Sequence, residues 1–398
     1  VTGQDWTGRI LELDVGPVAH GGHCVSRVDG RVVFVRHALP GELVRAEVTE
    51  DKGGSFCRAD AVEVLRAVPE RVDPPCPLAV PGQCGGCDWQ HATPEFQREL
   101  KGRVVAEQLQ RLAGLEWPVE VEALPGDVLG WRSRVRLVAG QDGRAGLRAH
   151  RSHRVVALEK CPIAVPGALD RALSRRWRPG TEIEVTSDGD GQVHARELAT
   201  VRGKRRARQL AGGVAVQHAA GRDWWLQAHG FWQVHPAAAE TFAAVVREWA
   251  RASPGALAWD LYSGVGLFAS VLAAQVGVTG HVVAVESGHR AVRDGEQNLA
   301  DLPQVSWRAG RTEHVLRSLS GRPEVVVLDP PRSGAGRDVV RAVAGAGPER
   351  VVYVACDPAA LARDVATFAE SGYRLERLRT FDAFPMTHHV ECVALLVR

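Results

Sequence analysis

Residues 351 to 355, Val-Val-Tyr-Val-Ala, form an apolar run that stops at Cys356-Asp357-Pro358. An apolar run of this length reads as a buried strand. The cysteine therefore sits at a strand end, ahead of an Ala-rich helical stretch. Asp357 suits the N-cap of that helix and Pro358 its first turn. The helix dipole and free N–H groups at such a point favour a thiolate. Asp357 opposes that charge unless its carboxylate faces the helix. A thiolate can add to C6 of a pyrimidine and make C5 nucleophilic enough to take up a methyl group. A base must then remove the C5 proton so that the thiolate can leave. Glu391 opens the last apolar run of the chain, where a carboxylate is out of place for packing alone. His388 and His389 are weaker candidates for the same task. The plainer alternatives are a small buried cysteine and an edge-strand glutamate in water.

A methyl donor needs its own site. Residues 259 to 269, WDLYSGVGLFA, place a strand end, a glycine turn and a helix start together. Gly264, Gly266 and Ala269 satisfy G-x-G-x-x-G/A, which fits NAD as well as S-adenosylmethionine. Glu286 ends the next apolar run, twenty residues after Gly266, where its carboxylate can accept both hydrogen bonds of a ribose diol. Asp260 places a charge before the glycines that suits a cationic amino group better than a pyrophosphate. Asp329, in VVVLDPPRSGAG (325 to 336), ends a further strand at the sheet edge where α/β folds build their sites. Together these features favour methyl transfer over hydride transfer.

Four of the eight cysteines form a pattern: Cys76, Cys84, Cys87 and, farther on, Cys161. Zinc sites of four cysteines usually use two close pairs, and only one is present here. A [4Fe–4S] cluster fits the spacing better. Cys24, Cys57 and Cys392 lie in mixed or apolar stretches and read as packing residues.

These groups need elements to hold them. Residues 5 to 66 alternate short β-rich runs with glycine turns, the signature of a small oligonucleotide-binding type of barrel. RVDPPCPLAVPGQCGGC (71 to 87) is too rich in Pro and Gly for regular structure. Residues 93 to 115 predict a helix, with Thr93 as cap, Pro94 in the first turn and Gly114 at the end. Residues 129 to 230 are strand-rich, and from Phe231 onward helices alternate with apolar strands, as in an α/β fold with a mostly parallel sheet. Arg132, Arg134 and Arg136 recur at period two and could present one cationic face to RNA phosphate, or simply a solvated basic face. The net charge of +2 does not by itself announce nucleic acid. No apolar run is long enough to span a bilayer and no signal peptide is visible, so a cytoplasmic protein is expected.

Collectively the motifs resemble the RNA uracil-5 methyltransferases, which make 5-methyluridine in tRNA or ribosomal RNA. DLYSGVGLF is similar to that family's cofactor loop, LDPPRSGAG to its Asp-Pro-Pro-Arg segment and VACDPAALARD to its nucleophile segment, where Asn is more usual than Asp357. FPMTHHVE resembles the segment ending in the family's base, at Glu391. GFWQVHP resembles the segment whose glutamine touches the cofactor, here Gln233. The resemblance implies that Tyr262, Glu286 and Asp329 also bind S-adenosylmethionine. Leu267 departs from it, standing where a polar cofactor ligand can occur. GRVVFVRHALPGELV resembles a TRAM domain, an RNA-binding module, and iron–sulfur members of the family share the cysteine arrangement.

The expected organisation is then a TRAM-like barrel over 1–68, and a central β-rich domain with the iron–sulfur loop over 69–92 and 123–230. A helix over 93–122 packs on the catalytic domain, and a Rossmann-like methyltransferase domain covers 231–398. The expected protein is a monomer with an RNA partner. Rival readings are methylation of cytosine C5 or of an exocyclic amine, and an RNA-binding relative without catalysis.

Overall fold

The computed structural model describes residues 5–201 and 204–398. Among the described residues the strands form four sheets. The first contains β1 (Ile10–Asp14), β2 (Cys24–Val28), β3 (Arg31–Arg36), β4 (Leu43–Asp51) and β5 (Phe56–Arg66), in the order β1-β4-β5-β3-β2. Alternation turns Leu11, Leu13, Val44, Ala46 and Val48 onto one core, which Cys24 and Cys57 also join. Gly16 N–H donates to Val25 O and Val25 N–H to Pro17 O, so the segment after β1 meets β2 and the sheet closes on itself.

α1 (Pro94–Gln108) is capped by Thr93, whose hydroxyl accepts from Phe96 N–H at 3.4 Å, and has Pro94 in its first turn. It continues as a π-helical turn, Leu109–Ala113, and ends at Gly114 in the left-handed region. Its buried face packs on the last helix, and β6 (Val121–Ala123) behind it joins the large sheet described below. Lys101 on α1 is fully buried and meets Asp382 at 2.5 Å and the Phe384 carbonyl at 3.0 Å. A buried pair of this kind fixes register, because separating it strands a charge in an apolar interior.

The central sheet runs β12-β11-β10-β7-β8-β9. Its members are β7 (Arg134–Ala139), β8 (Ala145–Arg148), β9 (Val155–Ala157), β10 (Glu182–Ser187), β11 (Val193–Val201) and β12 (Lys204–Ala211), with α2 (Asp170–Leu173) between β9 and β10. A hairpin of β13 (Val214–Ala219) and β14 (Arg222–Gln227) follows. Although this hairpin lies in the stretch expected to belong to the central domain, it packs against the helices that follow it in the chain. The inward Trp224 and Leu226 sit in the same apolar cluster as Phe242 and Ala269.

The remaining elements are α3 (Ala238–Ala250), β15 (Leu257–Leu261), α4 (Leu267–Val276), β16 (His281–Glu286), α5 (His289–Asn298), β17 (Val305–Ala309) and α6 (Thr312–Val315). They continue with β18 (Val325–Leu328), α7 (Arg337–Ala346), β19 (Arg350–Ala355), α8 (Pro358–Ala369), β20 (Arg374–Asp382) and β21 (Glu391–Val397). The sheet order is β17-β16-β15-β18-β19-β21-β20-β6, with β15 to β19 parallel and β21 antiparallel to both neighbours. The sheet is covered on both faces, so β18 is apolar throughout, and each of its four side chains is fully buried. Burying a Val or Leu in this way is worth about 1.5–3 kcal/mol. The chain starts in mid-sheet at β15, runs outward through β16 and β17, and returns at β18. The carboxyl ends of β15 and β18 therefore flank a switch point, the place where such sheets bind ligands. No helix among the described residues is long and apolar enough to cross a membrane.

Candidate active site at the edge of the large sheet

The strand register lines up the candidate residues. β15 pairs Leu261 with Val285 of β16 and with Leu328 of β18, so the next row holds Tyr262, Glu286 and Asp329 together. Tyr262 has φ +63, a strained conformation for a residue with a Cβ, of the kind that collects at functional turns. Gly266, at φ +94, opens α4; a Cβ there would lie 2.8 Å from Leu299 Cδ1 and 3.1 Å from the Trp307 ring. Glu286 closes the turn from the other side, accepting from Gly264 N–H at 3.1 Å and Gly288 N–H at 2.6 Å. Ser287 Oγ also donates to Oε1 at 3.2 Å, so it is Oε2 that keeps a further lone pair for a ligand. Gln233 is buried in the segment between β14 and α3. Leu267 is buried as the first residue of α4.

Asp260, expected to meet a cationic group, is instead fully buried, and neither oxygen has a hydrogen-bond partner of normal geometry among the described residues. Burial pushes its carboxyl well above the usual range, opposed by the Ala269 N–H in the first turn of α4. Its place is under the helix N-terminus, where the dipole favours a carboxylate.

β19 and β21 are antiparallel, with Ala355 opposite Cys392. One step farther in the same register brings Cys356 opposite Glu391. Far from an exposed edge residue, Glu391 is buried, because β21 lies between β19 and β20. Burial first, then the Asp329 charge, pushes its carboxyl well above the ordinary range, with Arg332 opposing. Asp329 is pushed up to about 7 by burial and by the Glu286 charge. Cys356 departs from the helix-stabilised thiolate that its position suggested. Burial and the Glu391 and Asp329 charges push the thiol up to about 12, and Arg332 only partly offsets them. Three acidic groups thus share a low-dielectric edge that is short of positive charge.

The Asp357 carboxylate faces its helix: Oδ1 accepts from Ala360 N–H at 2.8 Å. Oδ2 lies 2.9 Å from Nε2 of His20, in the loop between β1 and β2. A cavity of about 200 Å³ opens beside Cys356. Its walls include His20 and Gly22 from the barrel, Trp89 from the cysteine loop, and Arg332, His388 and His389 from the methyltransferase domain. His20 and Trp89 carried no signal in the sequence, since each reaches the site across hundreds of residues. Arg332 was visible as the residue after Asp-Pro-Pro, but without an assigned task. Of the two weaker base candidates, His388 is tied to Asp88 at 2.7 Å, and burial lowers the pKa of His389 to about 3.

Cys76, Cys84, Cys87 and Cys161 line one small cavity, and all four are free thiols. Gln90 braces the group: its amide oxygen accepts from Cys76 N–H at 3.0 Å and its Nε2 donates to Cys87 Sγ at 3.0 Å. A Cβ on Gly85 would lie 2.7 Å from the His150 backbone nitrogen and one on Gly86 3.0 Å from Leu147 Cδ1, so the glycines let the cysteine loop lie close against β8 and the residues after it. The same loop pins the approach to Glu391. Asp88 and Trp89 N–H groups donate to the Met386 carbonyl at 2.9 and 3.1 Å, and Asp88 accepts from His388 N–H at 3.1 Å.

The three arginines of WRSRVRLV meet different partners. Arg134 donates to the carbonyls of Ala228 and Gly230, and burial lowers its pKa to about 10. Arg136 pairs with Glu184, which also takes Arg196 at 2.5 Å. Arg132 donates from Nε to the Arg134 carbonyl at 3.3 Å. Arg134 Nε and Nη2 stay buried without a hydrogen-bond partner among the described residues, while the Arg136 side chain is 57% exposed.

Comparison with known proteins follows this geometry. Residues 316–398 match the family model described as tRNA (uracil-5-)-methyltransferase, and residues 6–62 match the TRAM domain. An uncharacterized RNA methyltransferase of Streptomyces avermitilis is 48% identical, the alignment covering 98% of each chain. One of Bifidobacterium longum is 39% identical over 97% of this chain and 96% of its own. Among solved structures, the Pyrococcus abyssi tRNA (uracil-54, C5)-methyltransferase in complex with S-adenosyl-L-homocysteine superposes with a TM-score of 0.73. It covers 97% of this chain and 100% of its own, at 22% identity.

Proposed function

The chain belongs to the RNA methyltransferases of the tRNA (uracil-5-)-methyltransferase family, and from that membership we propose that it methylates C5 of a uridine in tRNA or ribosomal RNA. The observation that carries this reading is the pairing of Cys356 with Glu391 across β19 and β21, beside a cavity with room for a base. An amine methylase needs no such cysteine.

S-adenosylmethionine, when bound, supplies an electrophilic methyl group and a positive sulfonium. The switch point suits it: the Gly264–Gly266 turn admits a ligand to the backbone, and Glu286 has acceptor capacity for a ribose. Asp329 and Glu391 leave the edge short of positive charge. Gln233, Tyr262, Gly264, Gly266, Glu286 and Asp329 are the residues proposed to hold the cofactor.

The target uridine must leave its stack to reach Cys356. As the thiol loses its proton to solvent, the sulfur adds to C6, and the C5–C6 π electrons make C5 the nucleophile that takes up the methyl. Glu391 then accepts the C5 proton, the C5–C6 double bond re-forms, and the C6–S bond breaks to return the thiolate. Arg332, close enough to favour the thiolate, works against the carboxylates during the first step.

Cys76, Cys84, Cys87 and Cys161 are proposed to hold a [4Fe–4S] cluster: their free thiols line one cavity, although no group of three or more His, Cys, Asp or Glu side chains among the described residues is already drawn together as a metal site. Four thiolates in a buried site need cationic iron to offset their mutual repulsion. Methyl transfer consumes no electron, so the cluster's task here is to shape residues 84–90, which brace the segment before Glu391.

The test is nucleoside analysis of unmodified tRNA and ribosomal RNA incubated with protein and S-adenosylmethionine. The expected product is 5-methyluridine, lost in Cys356→Ala. Methylated cytosine or adenine, or product formation by Cys356→Ala, would overturn the reading.

A further inference from the structure

Between the barrel and the central domain runs a second cavity, of about 420 Å³. Four guanidinium groups line it, those of Arg36, Arg58, Arg151 and Arg154, against the two carboxylates of Glu50 and Asp60. Glu50 alone is shared by Arg58 at 3.6 Å, Arg151 at 3.5 Å and Lys52 at 3.8 Å. Arg36 lies 3.5 Å from Asp88, and the Arg154 guanidinium donates to the neutral Gly82 carbonyl. Positive charge is thus in excess along the seam.

Aromatic rings adjoin these cations in a chain of edge-to-face and tilted contacts. His150 and His23 lie 5.7 Å apart, His23 and Phe34 6.3 Å, and Phe34 and Phe56 5.7 Å. The Arg58 guanidinium lies 5.1 Å from the Phe56 ring centre and 5.9 Å from that of Phe34. Phe56 is 43% exposed, unusual for so large an apolar ring. Three buried nitrogens here, His23 Nε2, His150 Nε2 and Arg58 Nε, lack a hydrogen-bond partner among the described residues. Buried polar atoms are rarely left unsatisfied, so three together point to a ligand that completes them.

The seam is continuous with the site. His20, Gly21 and Gly22 line the Cys356 cavity, while His23, the next residue, lines the seam. We propose that the seam binds the single-stranded RNA flanking the target base, with phosphates against Arg58, Arg151 and Arg154 and a base on the exposed Phe56 ring. Cationic grooves with stacking aromatics are how proteins hold unpaired strands. The proposal rests on the chain being an RNA methyltransferase and does not depend on which atom is methylated.

The experiment measures binding of a fluorescein-labelled single-stranded RNA 12-mer to the full chain by anisotropy at several salt concentrations. Wild type, the double variant Arg58→Gln/Arg151→Gln, Phe56→Ala, and the control Arg290→Gln on the far helix α5 are compared. The double variant is expected to bind at least tenfold more weakly, with a salt slope shallower by about 1.4, the value for two lost phosphate contacts on a single strand. Phe56→Ala is expected to weaken binding about tenfold with an unchanged slope, and Arg290→Gln to match wild type. Circular dichroism melting of each variant shows that the fold is retained. Wild-type affinity and slope in the double variant, or wild-type affinity in Phe56→Ala, would overturn the proposal. A wild-type chain that makes no 5-methyluridine but shows the expected contrast would sink the uridine reading and leave the seam standing.

Discussion

Cys356 and Glu391 face one another across antiparallel β19 and β21, one residue beyond the Ala355–Cys392 pair, at the edge where Asp329 also ends its strand. Backbone pairing, rather than a flexible loop, sets the spacing of proposed nucleophile and base. Sites held on strands are positioned more tightly than sites on loops.

Division of labour between the two residues predicts different failures. Glu391→Gln leaves the sulfur able to add to C6 but removes the group that takes the C5 proton. That variant is expected to accumulate a covalent, methylated protein–RNA complex while turnover falls by at least a thousandfold, in the range of lost general-base catalysis. Denaturing electrophoresis with labelled RNA reads the complex. Free methylated RNA released at wild-type rate would count against Glu391 as the base.

The raised carboxyl groups predict a pH dependence of stability. Asp329 rises from a usual 3.8 to about 7, and Glu391 moves in the same direction. The folded chain therefore holds these protons where the unfolded chain has released them, so stability falls as pH rises from about 4 through 7. Scanning calorimetry should show Tm falling over that window in wild type and falling less in Asp329→Asn. An equal fall in both would remove Asp329 from the explanation.

His20 and Asp357 join the barrel to the N-terminus of α8. The hydrogen bond that His20 donates to Asp357 raises the His20 pKa above 6.5, despite opposing burial. Its contribution is thus fully present below pH 6.5 and lost as pH rises through the higher folded value. Asp357 is held below 3.8 in spite of burial, by the His20 and Ala360 hydrogen bonds, so its share is lost only as pH falls through that lowered value. His20→Ala should remove the alkaline part of this dependence and increase hydrogen exchange in residues 19–23. Unchanged exchange there would show that the pair does not hold the loop.

Removal of the proposed cluster should reach the edge that carries Glu391 through Asp88. Anaerobic iron chelation, or Cys87→Ser, is expected to raise hydrogen exchange at Met386–Val390 and to lower kcat more than affinity for RNA. Protected amides in that segment after iron loss would separate the cysteine loop from the site.

Gly266→Ala tests the cofactor turn. The left-handed φ and the 2.8 Å approach of Leu299 leave no room for a methyl group. A loss of about 1–3 kcal/mol in urea unfolding is expected, as for overpacking of a core, together with weaker S-adenosylmethionine binding by calorimetry. Wild-type behaviour in both would mean that the turn is not built around the glycine.

Much of this site was legible along the chain because it sits at the ends of apolar runs. The strand of residues 351–355, the Asp357 cap, the Pro358 turn and the helix beginning at Pro94 all follow from local chemistry. The family of the chain was likewise carried by contiguous motifs. What local chemistry could not yield was contact across the fold. His20 reaches Asp357 over 337 residues, and Lys101 reaches Asp382 over 281, with no periodicity to announce either. Arg134 is a third case: period two puts it on a strand face but does not reveal that the Ala228 and Gly230 carbonyls lie there. The Cys356 pKa depends on Glu391 and Asp329, brought close only by sheet order.

The central claim is a bond between the Cys356 sulfur and C6 of a uridine. It is tested most directly by incubating the protein with S-adenosylmethionine and RNA carrying 5-fluorouridine, whose fluorine no base can remove as a proton. The account predicts a denaturation-resistant protein–RNA complex in wild type, mapped by peptide mass to Cys356 and absent in Cys356→Ala. A chain that methylates uridine RNA yet forms no such complex, or one that maps to another residue, would contradict it.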